Sequence, residues 1–323
     1  LFFAAISGSG TATVAAMGSI LIPAMVKQGY DPGFSSALSA ISGSLGTVIP
    51  PSITFIIYGM ITGESIGDLF LSGIVPGLIF AFVLCIMVFT QSKKHGWKGD
   101  TKRASAKEIG KLFLDTVWGL LSPVIVLGGI YSGLFTPTEA AAVAVVYSLI
   151  VGIFVYKELR LKELKETLFS TAKTTGMILL IIMNAGIFSW VLTQQGIAAS
   201  LTEMALALTD NKYIMLFIIN IVFLCAGCVM DNTSALYILV PIIMPIAKAL
   251  DINMIQLGVI LVLNLSIGQV TPPVGPNLYV AADIGKVKFE VICRKMVPLL
   301  LMSLVALFAI TYIPALSLCL IPA

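Results

Sequence analysis

Long apolar runs separated by polar stretches dominate the chain. Runs of about 20 residues recur throughout it, and a run of this length crosses ~30 Å of hydrocarbon as an α-helix. A membrane β-barrel would instead show ~10-residue segments of alternating polarity. The pattern therefore predicts an all-α polytopic membrane protein. The apolar segments lie at 14–27, 35–61, 69–91, 115–135, 138–156, 176–196, 213–229, 235–250, 254–283 and 291–320.

Composition agrees with this prediction and excludes several classes of protein. Of the 323 residues, 58% are hydrophobic and 11% are charged, whereas about a quarter of a soluble domain is charged. This excludes a water-soluble globule, a disordered chain and a nucleic-acid binder. An intramembrane enzyme would need a nucleophile with its base, or a set of metal ligands. Because the one histidine, His95, lies in a basic loop and Cys225 and Cys228 form an isolated pair, we expect no enzyme and no cofactor.

An internal repeat with an offset of 222 residues is the most informative pattern. Its register needs no gap over roughly 70 residues, and chance rarely aligns so many prolines and glycines. The repeat therefore predicts a structural duplication. The matched pairs are Thr11/Thr233, Ile20/Ile242, Pro23/Pro245, Ser44/Ser266, Gly46/Gly268, Val48/Val270, Pro50/Pro272, Pro51/Pro273, Gly63/Gly285, Pro76/Pro298 and Leu78/Leu300.

The positions of the basic residues predict the orientation of the segments. We interpret 1–27 and 213–250 as re-entrant hairpins, each of which returns to the side it came from. Alternation of the other segments then puts 17 of the 19 Lys and Arg residues on one face and leaves only Lys212 and Lys248 opposite. The positive-inside rule makes the basic face cytoplasmic and places the C-terminus on the other side. Under this assignment the two repeats are inverted relative to each other.

A proline pair interrupts one long apolar segment in each repeat. Pro50-Pro51 lies near the middle of 35–61, and Pro272-Pro273 lies within 254–283. Proline lacks an N–H and disfavours helical geometry in the residue before it, so each pair predicts an unwound transmembrane helix. Unwound backbone at membrane depth is tolerated only where it is buried in protein or lines a cavity. Two matched breaks therefore predict a binding site.

The tips of the two hairpins are polar. The first contains residues 7–13 (SGSGTAT) and the second contains residues 231–234 (DNTS). Their hydroxyl and carbonyl oxygens suit a small hard cation such as sodium, and helix N-termini suit a carboxylate. Close packing by small residues is the alternative for the glycines of the first tip. That alternative does not explain Asp231, which is expensive at membrane depth unless it has a partner or a task.

No basic side chain is predicted near the midplane. An anionic substrate there would have to be held by bound cations and helix dipoles, which gives a physical reason for cation coupling. A proton taken up by Asp231 could do part of the same work, and the sequence leaves that alternative open.

Several motifs together resemble the large membrane subunit (M, or DctM-like) of tripartite ATP-independent periplasmic (TRAP) transporters. The resemblance covers essentially the whole chain, in order. The motifs are SGSGTAT, GSLGTVIPPSITFIIYG, FLSGIVPGLI, TPTEAAAVAVVYSL, MDNTSALYILVPIIMPIA and IGQVTPPVGPNLYVAADI. The family subunit has further helices before the first hairpin. Because this chain starts inside an apolar run without a methionine, we expect the natural protein to begin upstream.

The resemblance implies a sodium-driven secondary importer of a small organic acid in the bacterial inner membrane, with a periplasmic C-terminus. It implies two partners, a small four-helix membrane subunit and a periplasmic substrate-binding protein. It also implies an inverted-repeat fold of the elevator type, with two re-entrant hairpins and two unwound transmembrane helices. A transport part would comprise 1–68 and 197–285, and a scaffold would comprise 69–196, with its basic loop and amphipathic arm, and 286–323.

Motif matches imply three groups of site residues. The first sodium would lie between tip residues and the first break, at Ser7, Ser9 and the backbone of Gly46, Val48 and Pro50. The second would lie at the other tip and break, at Asp231, Thr233 and the backbone of Gly268, Val270 and Pro272. The substrate would lie between the tips, near Thr11, Pro51, Asn232, Pro273 and Asn277.

Three questions stay open at the level of sequence. Sialic acid, C4-dicarboxylates and other small acids share the need for a carboxylate site, so the substrate is not identified. A two-hairpin symporter or antiporter that works alone, or an ion channel, is an alternative function. The stretch 157–173 has leucines at helical spacing between charges, which fits either a helix on the membrane surface or a solvated connecting helix.

Overall fold

The computed structural model describes residues 1–97 and 105–321, and every regular element in these two ranges is helical. Within them, eight helices are long and apolar enough to cross a membrane. The protein is therefore a multi-pass, all-helical chain, as the sequence predicted. The helices are α1 (Phe2–Ser7), α2 (Gly10–Lys27), α3 (Pro32–Ser44), α4 (Ile53–Thr62), α5 (Ile66–His95), α6 (Ala106–Tyr131), α7 (Pro137–Ile150), α8 (Leu161–Gln194), α9 (Ile197–Leu208), α10 (Lys212–Val229), α11 (Asn232–Ala249), α12 (Met254–Gly268), α13 (Pro276–Gly285), α14 (Phe289–Tyr312) and α15 (Ala315–Leu318).

Helix α8 differs from the predicted pattern. The sequence indicated a separate amphipathic segment at 157–173 and a membrane span at 176–196, but one helix of 34 residues runs from Leu161 to Gln194. The segment between these bounds contains no proline, so no residue removes a backbone donor from the helix. The charged first turns of α8 therefore continue directly into its apolar part.

The described chain divides into two compact units. The first contains residues 3–97 and 189–321, and the second contains residues 105–188. In the second unit, the Tyr147 hydroxyl donates to the Trp118 carbonyl over 2.6 Å, and the Tyr156 hydroxyl accepts from the Gly119 amide at 3.2 Å. The first unit holds both repeats together with α5, α9, α14 and α15.

Both predicted helix breaks are present in the first unit. Helix α3 ends at Ser44 and passes through a 3-10 turn, Leu45–Thr47, before the chain becomes helical again at Ile53. In the second repeat, α12 ends at Gly268 and α13 begins at Pro276. The Pro-Pro peptide bond within each break is cis. The prediction that the proline pairs unwind their helices is confirmed.

The two broken helices run antiparallel to each other. In α4, the Tyr58 hydroxyl donates to the Met254 carbonyl at the start of α12, over 2.6 Å. Gly285, at the end of α13, packs closely against Ser36 near the start of α3. Between these contacts the hydroxyls of Thr47 and Ser266 form a short hydrogen bond beside the two breaks. The duplicated segments are therefore inverted relative to each other within this unit.

A hydrogen bond joins the two ends of the second hairpin that lie furthest from its turn. Lys212, the first residue of α10, donates its Nζ proton to the Asp251 carbonyl just after α11, over 2.8 Å. Helices α10 and α11 therefore leave and return at the same level, with the turn between them at Met230 and Asp231. In the first repeat the turn lies at Gly8, which has a φ of 61°, and at Ser9, between the short α1 and α2.

The predicted basic face has a structural counterpart at one end of the first unit. Lys295 Nζ lies 3.4 Å from Asp31 Oδ1. The Trp97 ring lies 5.1 Å from the Tyr30 ring and 5.0 Å from the Phe34 ring, measured between centroids. These contacts join the α2–α3 turn, the end of α5 and the start of α14. Lys212 lies at the other end, beside Asp251, as the charge pattern predicted.

Candidate binding site at the two helix breaks

The first tip lies directly against the first break. The Ile53 amide donates to the Gly8 carbonyl at 3.4 Å. A Cβ atom added to Gly46 would lie 2.7 Å from the Ser9 carbonyl oxygen, and one added to Gly8 would lie 3.0 Å from the Pro51 carbonyl oxygen. Cβ atoms do not approach oxygen as closely as 2.7 Å, so the contact requires glycine at position 46, and at position 8 the φ of 61° favours glycine. A backbone oxygen of the tip therefore lies against the break, and a backbone oxygen of the break lies against the tip.

Hydroxyl groups gather around the Ser9 carbonyl. The Thr13 hydroxyl donates to it over 2.7 Å, and the Ser7 hydroxyl donates to it over 3.2 Å. The Ser9 and Thr11 hydroxyls are 3.4 Å apart. Val48 and Pro50, two other members of the first predicted ion set, are buried. The structure thus brings Ser7, Ser9 and Gly46 of that set together, whereas their role as sodium ligands stays a prediction.

The second tip approaches its break through the end of α10. The Val274 amide donates to the Cys228 carbonyl at 3.3 Å. A Cβ atom added to Gly268 would lie 2.5 Å from the Gly227 Cα atom. Across the described residues, no side-chain hydrogen bond joins Asp231 or Thr233 to residues 268–274. The contact to this break is therefore made one turn before the residues that the sequence predicted.

Asp231 has a local role in the structure. Its carboxylate caps α11, accepting from the Ser234 amide at 3.1 Å and from the Ser234 hydroxyl at 2.6 Å. The side chain is exposed at the surface of the chain, and its carboxylate is bonded to its own helix. An aspartate directly before a helix is a favoured N-cap because its oxygens satisfy free backbone N–H groups.

The predicted substrate residues include two buried side-chain amides with atoms that lack hydrogen-bond partners. Asn277 is 0% exposed and its Oδ1 atom has no hydrogen-bond partner, while Asn232 is 6% exposed and neither of its amide atoms has one. A buried polar atom without a partner costs about 1–3 kcal/mol, so such atoms mark places where a ligand can compensate. Thr11 and Pro51 are half-buried, and Pro273 is exposed.

Two buried residues at the centre of this region, Gln269 and Thr47, were not among the predicted site residues. Gln269 Oε1 accepts from Asn277 Nδ2 at 3.3 Å. A Cβ atom added to Gly10 would lie 2.5 Å from that Oε1 and 3.5 Å from the Thr47 Cγ2 atom. Gln269 and Thr47 occupy matching positions in the repeat. This match was the signal that could have found them.

Comparison with known proteins connects this geometry to a family. Residues 1–316 match the sequence model of the family described as "Tripartite ATP-independent periplasmic transporter, DctM component". The chain is 43% identical to the isethionate TRAP transporter permease protein DctMQ of Oleidesulfovibrio alaskensis, over 98% of this chain and 50% of that protein.

Two further relatives are single large permease proteins. Identity is 43% to the C4-dicarboxylate TRAP transporter large permease protein DctM of Pseudomonas aeruginosa, over 99% of this chain and 75% of that protein. Identity is 36% to the sialic acid TRAP transporter large permease protein SiaM of Vibrio cholerae, over 98% of this chain and 74% of that protein. The chain thus spans half the length of DctMQ and about three quarters of the length of these two proteins.

Proposed function

Because the chain belongs to the family of DctM components of tripartite ATP-independent periplasmic transporters, we propose that it imports a small organic acid across the bacterial inner membrane, driven by a sodium gradient. The observation that carries this proposal is the pair of antiparallel broken helices, each of which contacts the turn region of a hairpin. Such an arrangement offers backbone oxygens to cations and helix N-termini to a carboxylate.

Sodium coupling follows from the chemistry of the two breaks. The first ion would lie between Ser7, Ser9 and the carbonyls of the first break, where the Ser9 carbonyl already lies against Gly46. The second ion would use the carbonyls of the second break with Thr233 and Asp231. Because Asp231 caps α11 in this structure, it would bind the ion only after the tip moves. Hydroxyl, carbonyl and carboxylate oxygens are the donors that hard cations prefer.

The substrate would occupy the space between the tips, near Thr11, Pro51, Asn232, Pro273 and Asn277. The unpaired amide atoms of Asn232 and Asn277 support a polar ligand, because a hydrogen bond from it would remove their desolvation penalty. The relatives are named for isethionate, C4-dicarboxylates and sialic acid, which are all organic anions. We therefore propose a small organic anion as the substrate class.

The second hairpin supports re-entry rather than a complete crossing. Its outer end lies beside Asp251, close to the start of α12, and α10 meets the break through Cys228, near its other end. Beyond that break α13 continues for 10 residues, or about 15 Å. The hairpin thus reaches the level of the break, while the broken helix continues further.

Elevator transport requires one group of helices to move as a body. We propose that both repeats belong to it. The family resemblance implies a scaffold of 69–196 and 286–323. Helix α5, however, packs against the first break: a Cβ atom on Gly73 would lie 2.8 Å from the Val48 carbonyl oxygen. Helix α14 is bonded to α10, because Asn220 Nδ2 donates to Thr311 Oγ1 at 3.3 Å. These contacts support a smaller scaffold, formed by residues 105–188.

Reconstitution tests the proposed function. The complete transporter, with its small four-helix membrane subunit, would be placed in liposomes with candidate periplasmic binding proteins, and radiolabelled acids would be offered under an imposed sodium gradient. We expect uptake that needs both the gradient and a binding protein. Uptake without any binding protein would favour a carrier that works alone, and single-channel currents in a bilayer would favour a channel.

A further inference from the structure

Gln269 and Asn277 close the loop of the second break. The Asn277 amide donates to the Gln269 carbonyl at 3.2 Å, and the Asn277 side-chain nitrogen donates to Gln269 Oε1 at 3.3 Å. Gln269 is 7% exposed and Asn277 is fully buried. The two hydrogen bonds join the ends of a loop that contains Pro272 and Pro273, so the directions of the loop carbonyls depend on this amide pair.

The other side of the amide pair touches the first repeat. A Cβ atom added to Gly10 would lie 2.5 Å from Gln269 Oε1 and 3.1 Å from Asn277 Nδ2. Gly10 is the first residue of α2, and the first N–H groups of a helix have no partner within it. The amide side chains of the second loop therefore lie directly against the backbone at the start of α2.

The first repeat is built differently at the matching positions. The residues 222 positions before Gln269 and Asn277 are Thr47 and Phe55, which cannot form an amide pair. The first loop is instead held by the Ser52 hydroxyl, which donates to the Thr47 carbonyl over 2.5 Å. The counterpart of Gly10 is Asn232. The amide contact therefore runs in one direction, from the loop of the second repeat to the tip of the first.

We propose that the Gln269–Asn277 amide pair couples ion binding at the second break to ion binding at the first tip. A cation held by the loop carbonyls shifts the loop, and the shift moves Gln269 Oε1 against the first turn of α2. Because the Ser9 carbonyl directly precedes that turn and its donor Thr13 lies within it, the ion site there changes geometry. Coupling between binding sites is reciprocal. This inference rests on the proposed sodium-coupled uptake, and it makes Gln269 a positioning residue.

The sodium dependence of uptake by the complete transporter in liposomes tests the coupling. Wild-type protein should give a sigmoidal curve against sodium concentration. Gln269→Ala should lower the Hill coefficient to about 1 and raise the half-saturating sodium concentration about 5-fold or more, which is the lower range of typical coupling. Maximal uptake at saturating sodium should fall much less. An unchanged Hill coefficient, or a wild-type curve that is already hyperbolic, would overturn the inference.

A double-mutant cycle tests the contact itself. Gly10→Ala alone should reduce the thermal stability and the uptake, because its Cβ would collide with Gln269 Oε1. Gln269→Ala in the same chain should restore both in part, since it removes the colliding atom. Additive losses would overturn the inference. Gly128→Ala is the matched control, because a Cβ atom there meets nothing within 4 Å.

The two proposals fail in different ways. Sodium-independent uptake by wild-type protein would contradict sodium coupling, whereas the stability cycle would still report whether Gly10 and Gln269 interact. Sodium-dependent uptake with an unaltered Hill coefficient in Gln269→Ala would contradict only the coupling role. If Gln269→Ala lowers thermal stability and maximal uptake in equal proportion and leaves the shape of the sodium curve intact, the residue is purely structural.

Discussion

At the scale of single residues, the chemistry of the site comes from backbone oxygens and small hydroxyls. Glycines at 8 and 46 let the first tip and its break approach within contact distance. The buried amides of Asn232 and Asn277 supply the polar groups that lack partners. A sodium ion and an organic anion would compensate for each other's charge in such a site, because no basic side chain is needed to hold the anion.

Thr233→Ala tests the second ion site. Removal of the hydroxyl should raise the sodium concentration needed for uptake more than it lowers expression, because the residue is half-buried in the first turn of α11. Sodium titration of uptake and quantitative immunoblotting measure the two effects. Thr116→Ala in α6, where the hydroxyl bonds its own helix, is the control. Equal losses of expression and sodium affinity would indicate a role in folding.

Gly46→Ala tests the approach of the first tip to its break. The added Cβ atom would lie 2.7 Å from the Ser9 carbonyl oxygen, and forcing atoms into a packed site costs about 1–3 kcal/mol. We expect a lower midpoint of thermal unfolding and weaker sodium-dependent protection against heat. Gly176→Ala, with open space around it, should behave as wild type. Wild-type protection by sodium in Gly46→Ala would speak against this ion site.

At the scale of elements, local rules predicted the breaks and the caps well. Proline has a fixed φ and no N–H wherever it stands, so Pro50-Pro51 and Pro272-Pro273 could be interpreted without tertiary information. The capping box of Thr136 and Glu139 is equally local, because both residues lie in the first turn of α7: the Glu139 carboxylate accepts from the Thr136 amide at 2.8 Å. Gln269 was missed because its significance comes from contact with Gly10 in the other repeat.

At Asp231 two rules give different predictions: one concerns the cost of a charge at membrane depth, and the other concerns helix capping. Membrane depth made this carboxylate look expensive and therefore functional. The short-range rule that aspartate caps the helix following it describes its observed bonds to Ser234. The sequence contained both signals, but the exposure that decides the desolvation cost depends on packing around the tip.

Ser52→Ala tests the helix restart in the first repeat. The Ser52 hydroxyl donates to the Thr47 carbonyl and accepts from the Phe55 amide, and the loss of an N-cap costs about 1 kcal/mol. We expect lower thermal stability together with impaired sodium-dependent uptake. Thr136→Ala removes a comparable cap from α7 and should lower stability alone. If the two variants lose stability and uptake alike, the Ser52 cap has no special relation to transport.

At the scale of the whole molecule, the duplication determines the arrangement of the first unit. The offset of 222 residues and the charge pattern together predicted inverted repeats, and the contacts from Tyr58 to Met254 and from Ser36 to Gly285 agree with that orientation. Packing of α5 and α14 in the same unit was not predicted. The repeat continues into both helices through the pairs Pro76/Pro298 and Leu78/Leu300, and this match was the signal that could have placed them with the repeats.

Cysteine labelling tests the topology. Ser65 caps the start of α5 and Ser92 lies near its end, so about 40 Å of helix separate them. In a variant that lacks the native cysteines, Ser65→Cys should react with a membrane-impermeant maleimide only from outside, and Ser92→Cys only from the cytoplasmic side. Labelling of both from one face would contradict the assigned orientation.

The unbroken length of α8 indicates which part of this helix lies within the hydrocarbon layer. Its 34 residues correspond to about 51 Å, far more than the ~30 Å of a hydrocarbon layer. The part after Lys173 alone is about 31 Å long. The first turns of α8 thus extend beyond the acyl chains. They carry Lys162, Glu163, Lys165 and Glu166. We therefore expect Lys173 to lie at the boundary between the hydrocarbon layer and the lipid headgroups.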